Sequence, residues 1–326
     1  MNDGVLLSLD GLTAGFNTEQ GFVRVVEDVS FDVAQGETLG LVGESGCGKS
    51  VTAQTIMRLL PSPPSRIEAG RILFDGDDLA KVPENRMRKI RGDRIGMVFQ
   101  EPMTSLNPTQ RIGRQIAEVL ALHRGLSYGA ARETVVRILT KVGIGNAERR
   151  LDQYPHELSG GLRQRVMIAM AIVCQPKLLI ADEPTTALDV TIQAQIMEVL
   201  QSLQRELGLA ILLITHDLGM VAEMCRTIAI MYAGCIVERG PVDVIFARPR
   251  HPYTAGLMAA SPRHAKKGLR LSSIPGLVPP PGHRGKGCSF ADRCPRMIDR
   301  CRAERPPLTA LGVTAAACWN PLPWQS

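Results

Sequence analysis

Aromatic residues are scarce in this 326-residue chain, at 4%. They are not interleaved with its basic residues, so the stacking platform of a nucleic-acid binder is missing. Long apolar runs are missing too. The longest, around 166–174 and 209–214, fall far short of the roughly 20 residues that span a bilayer. The start, Met1-Asn2-Asp3-Gly4, has no basic n-region and no apolar h-region, so no signal peptide is expected. There is no internal repeat and no low-complexity segment. With 44% apolar and 21% charged residues, a disordered, collagenous or coiled-coil chain is excluded. These absences predict a cytosolic protein, in which thiols stay reduced.

What is present is distributed unevenly. Residues 241–326 hold 13 Lys and Arg against 4 Asp and Glu, so the chain's net charge of +6 resides there and residues 1–240 are net negative. That quarter also holds 13 of the 22 prolines and four of the eight cysteines.

Along residues 1–240, β-rich apolar runs at Thr38–Val42, 71–74, 95–99, 177–181 and Ala210–Thr215 alternate with helical patterns at 50–60, 161–174 and 191–207. Such alternation predicts an α/β fold with parallel strands. Residues 5–33 read as short antiparallel strands, and 228–238 as a hairpin around Ala233-Gly234. Residues 111–157 read as inserted helices, with Ile112, Ile116, Val119 and Leu120 on one apolar face and Val135, Ile138, Leu139 and Val142 on another. Beyond Gly240, repeated prolines predict irregular structure.

The strongest motif is Gly43-Glu44-Ser45-Gly46-Cys47-Gly48-Lys49-Ser50, a G-x-x-x-x-G-K-[ST] loop between a strand and a helix. Its backbone N–H groups and the helix N-terminus suit phosphates, Lys49 the β/γ-phosphates and Ser50 a Mg²⁺ ion. A second piece is the apolar strand ending in Asp182-Glu183, with Asp182 near the metal and Glu183 as general base. A third is Leu158-Ser159-Gly160-Gly161, with Ser159 as N-cap of a helix whose exposed amides face a second phosphate site. Cys47, beside Lys49 and a helix start, is expected to favour its thiolate and to be alkylated with loss of ATP hydrolysis. Cys174, Cys225 and Cys235 read as buried filling residues.

As a set, Gly43–Ser50, Gln100, 158–161, Asp182-Glu183, Ala187-Leu188-Asp189 and His216 resemble the ABC ATPase family, over residues 5–245. The resemblance implies a head-to-tail dimer in which Ser159, Gly160 and Gly161 of one subunit cover ATP held by the other. It further implies that Gln100 senses Mg²⁺ and the attacking water, His216 the γ-phosphate, and Asp189 the dimer interface, with Phe16 stacking on adenine. Leu162 departs from the glutamine usual after the second signature glycine. The expected division is an ATPase domain at 1–250, with a helical subdomain at about 101–165, and an extension at 251–326.

Within that family, residues 99–108 (FQEPMTSLNP), residues 182–195 (DEPTTALDVTIQAQ) and His251-Pro252-Tyr253-Thr254 resemble the ATPases of dipeptide/oligopeptide importers. So do Cys288, Cys294, Cys301 and Cys318, spaced C-x5-C-x6-C-x16-C. Spacing alone leaves Zn²⁺, an iron–sulfur cluster and free thiols open. The resemblance implies a [4Fe–4S] cluster, whose charge Arg293, Arg296, Arg300 and Arg302 would offset. Further implied are a second, distinct ATPase, two transmembrane permease subunits, an extracytoplasmic solute-binding protein, and a peripheral place on the cytoplasmic side of the membrane. Importers of nickel, glutathione or oligosaccharide, and a soluble ABC ATPase acting on nucleic acid, are the alternatives.

Overall fold

The computed structural model describes residues 4–186, 188–260 and 273–323, the side chains of Pro102 and Met103 excepted. Outside it lie Met1, Asn2 and Asp3, read above for a signal peptide, Ala187 of the candidate set, and residues 261–272 and 324–326 of the extension. The chain forms two compact units, one of Met1–Val33, Thr38–Lys81 and Ile214–Ser326, the other of Ala34–Glu37 and Val82–Leu213.

In the first unit, a four-stranded antiparallel sheet runs in the order Gly21–Ala34, Val5–Thr18, Ser65–Phe74, Asp77–Asp78. The first two strands are 14 residues each rather than short. Their length follows from sustained alternation, with Val29, Phe31 and Val33 at most 1% exposed between more open neighbours. Residues 71–74, expected among the parallel strands, instead pair antiparallel, Leu9 opposite Ile72 and Leu7 opposite Phe74. A helix, Lys49–Ile56, does separate them from the strand Thr38–Val42, but their hydrogen-bonding partner is Val5–Thr18, which runs the opposite way.

The same unit carries the strands Thr309–Leu311, Thr314–Ala316, Cys235–Pro241, Thr227–Tyr232 and Thr38–Val42, in that order. Thr38–Val42 runs parallel to Thr227–Tyr232, with Leu41 opposite Ala229. The expected hairpin is present, its turn made by Ala233 and Gly234 at φ 44° and 81°. The proline-rich end is more regular than expected. Helices span Val242–Ala247 and Pro252–Ala260, and Thr314–Ala316 pairs with Cys235–Pro241. Pro252 opens its helix, where the missing N–H costs nothing.

The second unit holds the parallel pair Ile95–Val98 and Leu178–Asp182, with Val98 opposite Ala181. Strand Ala210–Thr215, buried along its whole length, begins in it. Helices Ile112–Arg124 and Tyr128–Lys141 pack together through the two predicted apolar faces, with Val119 only half-buried. Among the described residues, no helix is long and apolar enough to cross a membrane.

Candidate nucleotide site

The phosphate loop follows the buried strand Thr38–Val42 and opens the helix Lys49–Ile56. Gly43 admits no side chain, since a Cβ there would stand 2.2 Å from the Met231 carbonyl oxygen and 2.7 Å from Cys47 Sγ. Gly48, the N-cap at φ 111°, takes a backbone conformation that other residues resist. Ser45 and Gly46 lie exposed at the loop crest, and Ser50 is half-buried in the first helical turn. Lys49 is 5% exposed, and its Nζ donates to the carbonyls of Gly43 at 2.9 Å and Glu44 at 3.1 Å.

The expectation for Cys47 fails. Its side chain is fully buried, and burial pushes the thiol up, outweighing the pull of the Lys49 ammonium. A neutral, enclosed thiol is a poor target for alkylation.

In the second unit, Asp182 ends its strand at 3% exposure, and Glu183 follows with φ at 46°. Left-handed backbone at a non-glycine residue is held in place by its surroundings and is common at functional sites. Glu183 Oε2 accepts hydrogen bonds from Gln100 Nε2 at 3.0 Å and Thr186 Oγ1 at 2.8 Å. Two residues assigned separately from sequence, 83 positions apart, are thus joined. Thr186 was missed, because a threonine three residues beyond an acidic pair carries no distinctive signal.

Ser159 and Gly160 lie exposed at the start of the helix Gly160–Ile172. Ser159 occupies the N-cap position, but its hydroxyl makes no capping bond, contrary to expectation. Gly161 is buried where a Cβ would approach Ile192 Cγ2 to 2.7 Å. Asp189 is exposed and caps the helix Val190–Leu207, accepting the Ile192 N–H at 3.0 Å. In the first unit, His216 is exposed after its strand, while Asp217 caps the helix Leu218–Met224. Phe16 is half-buried opposite Ser65.

Cys288, Cys294, Cys301 and Cys318 are free thiols. Burial pushes up the thiols of Cys288 and Cys294, and that of Cys318 to about 11, with the neighbouring cysteines adding to each rise. The four therefore lie in mutual electrostatic range. Even so, no group of three or more His, Cys, Asp or Glu among the described residues could hold a metal ion, and the iron–sulfur expectation gains no support from this geometry. Its arginine screen is mostly committed elsewhere. Arg293 pairs with Glu44, Arg300 with Glu304 and the Trp319 ring, and Arg296, which favours the Cys294 thiolate, also donates to Asn320.

Residues 26–186 match the ABC transporter family, and residues 237–301 the C-terminal region of oligopeptide/dipeptide transporters. A dimeric structure of a bacterial ABC transporter cassette has a TM-score of 0.65 and 27% identity, covering 73% of this chain and 99% of its own. The post-hydrolysis dimer of that cassette with ADP and Pi matches equally. The chain belongs to the ABC transporter ATPase family. Full-length relatives narrow the likeness. A protein of Brucella ovis described as a peptide import ATP-binding protein is 52% identical, over 94% of each chain. The dipeptide transport ATP-binding protein DppD of Escherichia coli is 50% identical, over 94% of this chain and 93% of its own.

Proposed function

We propose that this chain is the ATP-hydrolysing subunit of an importer of dipeptides or oligopeptides. The observation that carries this is the match to peptide-import ATP-binding proteins through both the ATPase core and residues 237–301. The ATPase works as a dimer on two permease subunits. The second ATPase is a related but distinct chain, a solute-binding protein delivers the peptide outside, and the ATPase subunits sit peripherally on the cytoplasmic face of the membrane.

The phosphate loop binds the triphosphate through its amides and Lys49, with Phe16 against the base and His216 toward the γ-phosphate. The hydroxyl of Ser50 and the carboxylate of Asp182 are the oxygen donors that Mg²⁺ prefers, and that ion needs only one or two protein ligands beside phosphates and water. When bound, it neutralises charge developing on the phosphates. Glu183 takes the proton of the attacking water, and the bonds from Gln100 and Thr186 set the direction of its carboxylate. Ser159, Gly160 and Gly161 cover the partner's nucleotide, and Asp189 lies at that junction. ATP binding favours the closed dimer and hydrolysis the open one. The four-cysteine set is the proposed seat of an iron–sulfur cluster, a reading that rests on its sequence pattern alone.

Glu183→Gln is expected to keep ATP affinity while hydrolysis falls by about 10²- to 10⁴-fold, read as steady-state phosphate release beside nucleotide binding. Near-normal hydrolysis in that variant would reject Glu183 as the base.

A further inference from the structure

Glu44, the second residue of the phosphate loop, is held at three points. Its N–H donates to the Tyr253 hydroxyl at 3.0 Å. Its carbonyl accepts from Lys49 Nζ at 3.1 Å. Its carboxylate meets the guanidinium of Arg293 in a two-pronged fork, Nη1 to Oε2 at 2.7 Å and Nη2 to Oε1 at 3.0 Å. Arg293 is itself locked. Its side chain is 6% exposed, and Nη1 also reaches the Tyr232 hydroxyl at 3.3 Å. Nη2 and Nε donate to the carbonyls of Ile274 and Pro275, at 3.2 and 2.9 Å. Beneath it, Phe290 packs edge-on against Tyr232 and Tyr253, with ring centroids 5.2 and 5.4 Å away.

A two-pronged fork of this kind, with Arg293 enclosed and Glu44 partly open, is both strong and directional. The carboxylate it grips belongs to the residue whose carbonyl holds Lys49. The structure assigns Arg293 as a positioning residue for the phosphate loop: from the C-terminal extension it fixes Glu44 and, through that carbonyl, the Lys49 ammonium that meets ATP. The assignment rests on the reading of Lys49 as the phosphate-binding lysine. ATP binding is therefore conditional on a correctly formed extension, since Arg293 ends the short 3-10 turn Ala291–Arg293, between Cys288 and Cys294 in the chain.

The test measures ATPase kinetics of the full-length chain in its transporter complex. Arg293→Met is expected to raise KM for ATP about tenfold, with most of the loss in kcat/KM falling on KM. Arg293→Lys, which keeps the charge but not the fork, should show a smaller rise. Glu44→Gln changes no residue of the extension and must reproduce the KM shift even if Arg293→Met folds poorly. The double variant Arg293→Met/Glu44→Gln should be no worse than the poorer single one, as expected when both act through one contact. An unchanged KM in Glu44→Gln, or additive losses in the double variant, overturns the assignment. Lys49→Ala separates the two readings, because retained ATP affinity there overturns the phosphate-loop reading on which the assignment stands.

Discussion

His251 sits at 1% exposure, its ring 5.8 Å from Phe290 and its Nδ1 accepting the Tyr253 N–H at 3.1 Å. Burial drives its pKa from 6.5 to about 3. The folded state therefore keeps the imidazole neutral while the unfolded chain protonates it, so the unfolded state binds more protons below pH 6.5. Stability present above that value is lost as pH falls toward 3. Glu238, whose carboxylate accepts the N–H groups of Arg250 and His251, works in the opposite sense. Burial raises its pKa, so its contribution is lost as pH rises. His251→Gln should lower the melting temperature at pH 8 and flatten its decline between pH 6.5 and 4.5. A decline as steep as the unmodified protein's would reject this account. Cys47 teaches the same lesson: its neighbours in sequence predict a thiolate, and burial decides otherwise.

At the scale of elements, local chemistry was well announced. The strands Thr38–Val42 and Ala210–Thr215 fall where expected, because continuous apolar runs bounded by turns leave little choice. Helix ends were harder. The phosphate-loop helix stops at Ile56, well before the expected residue 60, and Arg58 turns left-handed at φ 50°. Caps divide in the same way. Asp217 accepts the N–H groups of Gly219 at 2.6 Å and Met220 at 3.4 Å, whereas Ser159 bonds none. Asp217→Ala should therefore cost about 1 kcal/mol in urea denaturation, and Ser159→Ala almost nothing. Equal losses in the two variants would show that the caps do not differ. The Gln100–Glu183–Thr186 junction was partly legible, since the acidic strand end names Glu183 and the family resemblance implies Gln100, while only the fold brings in Thr186.

For the molecule as a whole, the basic C-terminal quarter is not simply a solvated tail. Part of it forms strands beside Cys235–Pro241, and one of its arginines reaches the phosphate loop. If the cysteine set holds the proposed cluster, anaerobically purified protein should contain about four iron and four acid-labile sulfide per chain, lost in Cys301→Ser. Protein of full ATPase activity without iron would reject the cluster. The sequence alone determined the ATPase class, and the residues proposed for the nucleotide were read from its motifs and its family resemblance. Phosphate binding is built from a short contiguous loop whose glycines, lysine and hydroxyl are each chemically required. Only the tertiary structure decided the charge state of Cys47, the idle hydroxyl of Ser159 and the grip of Arg293 on a residue 249 positions away. Burial and long-range pairing depend on which surfaces the folded chain brings together, and no local pattern of residues records that.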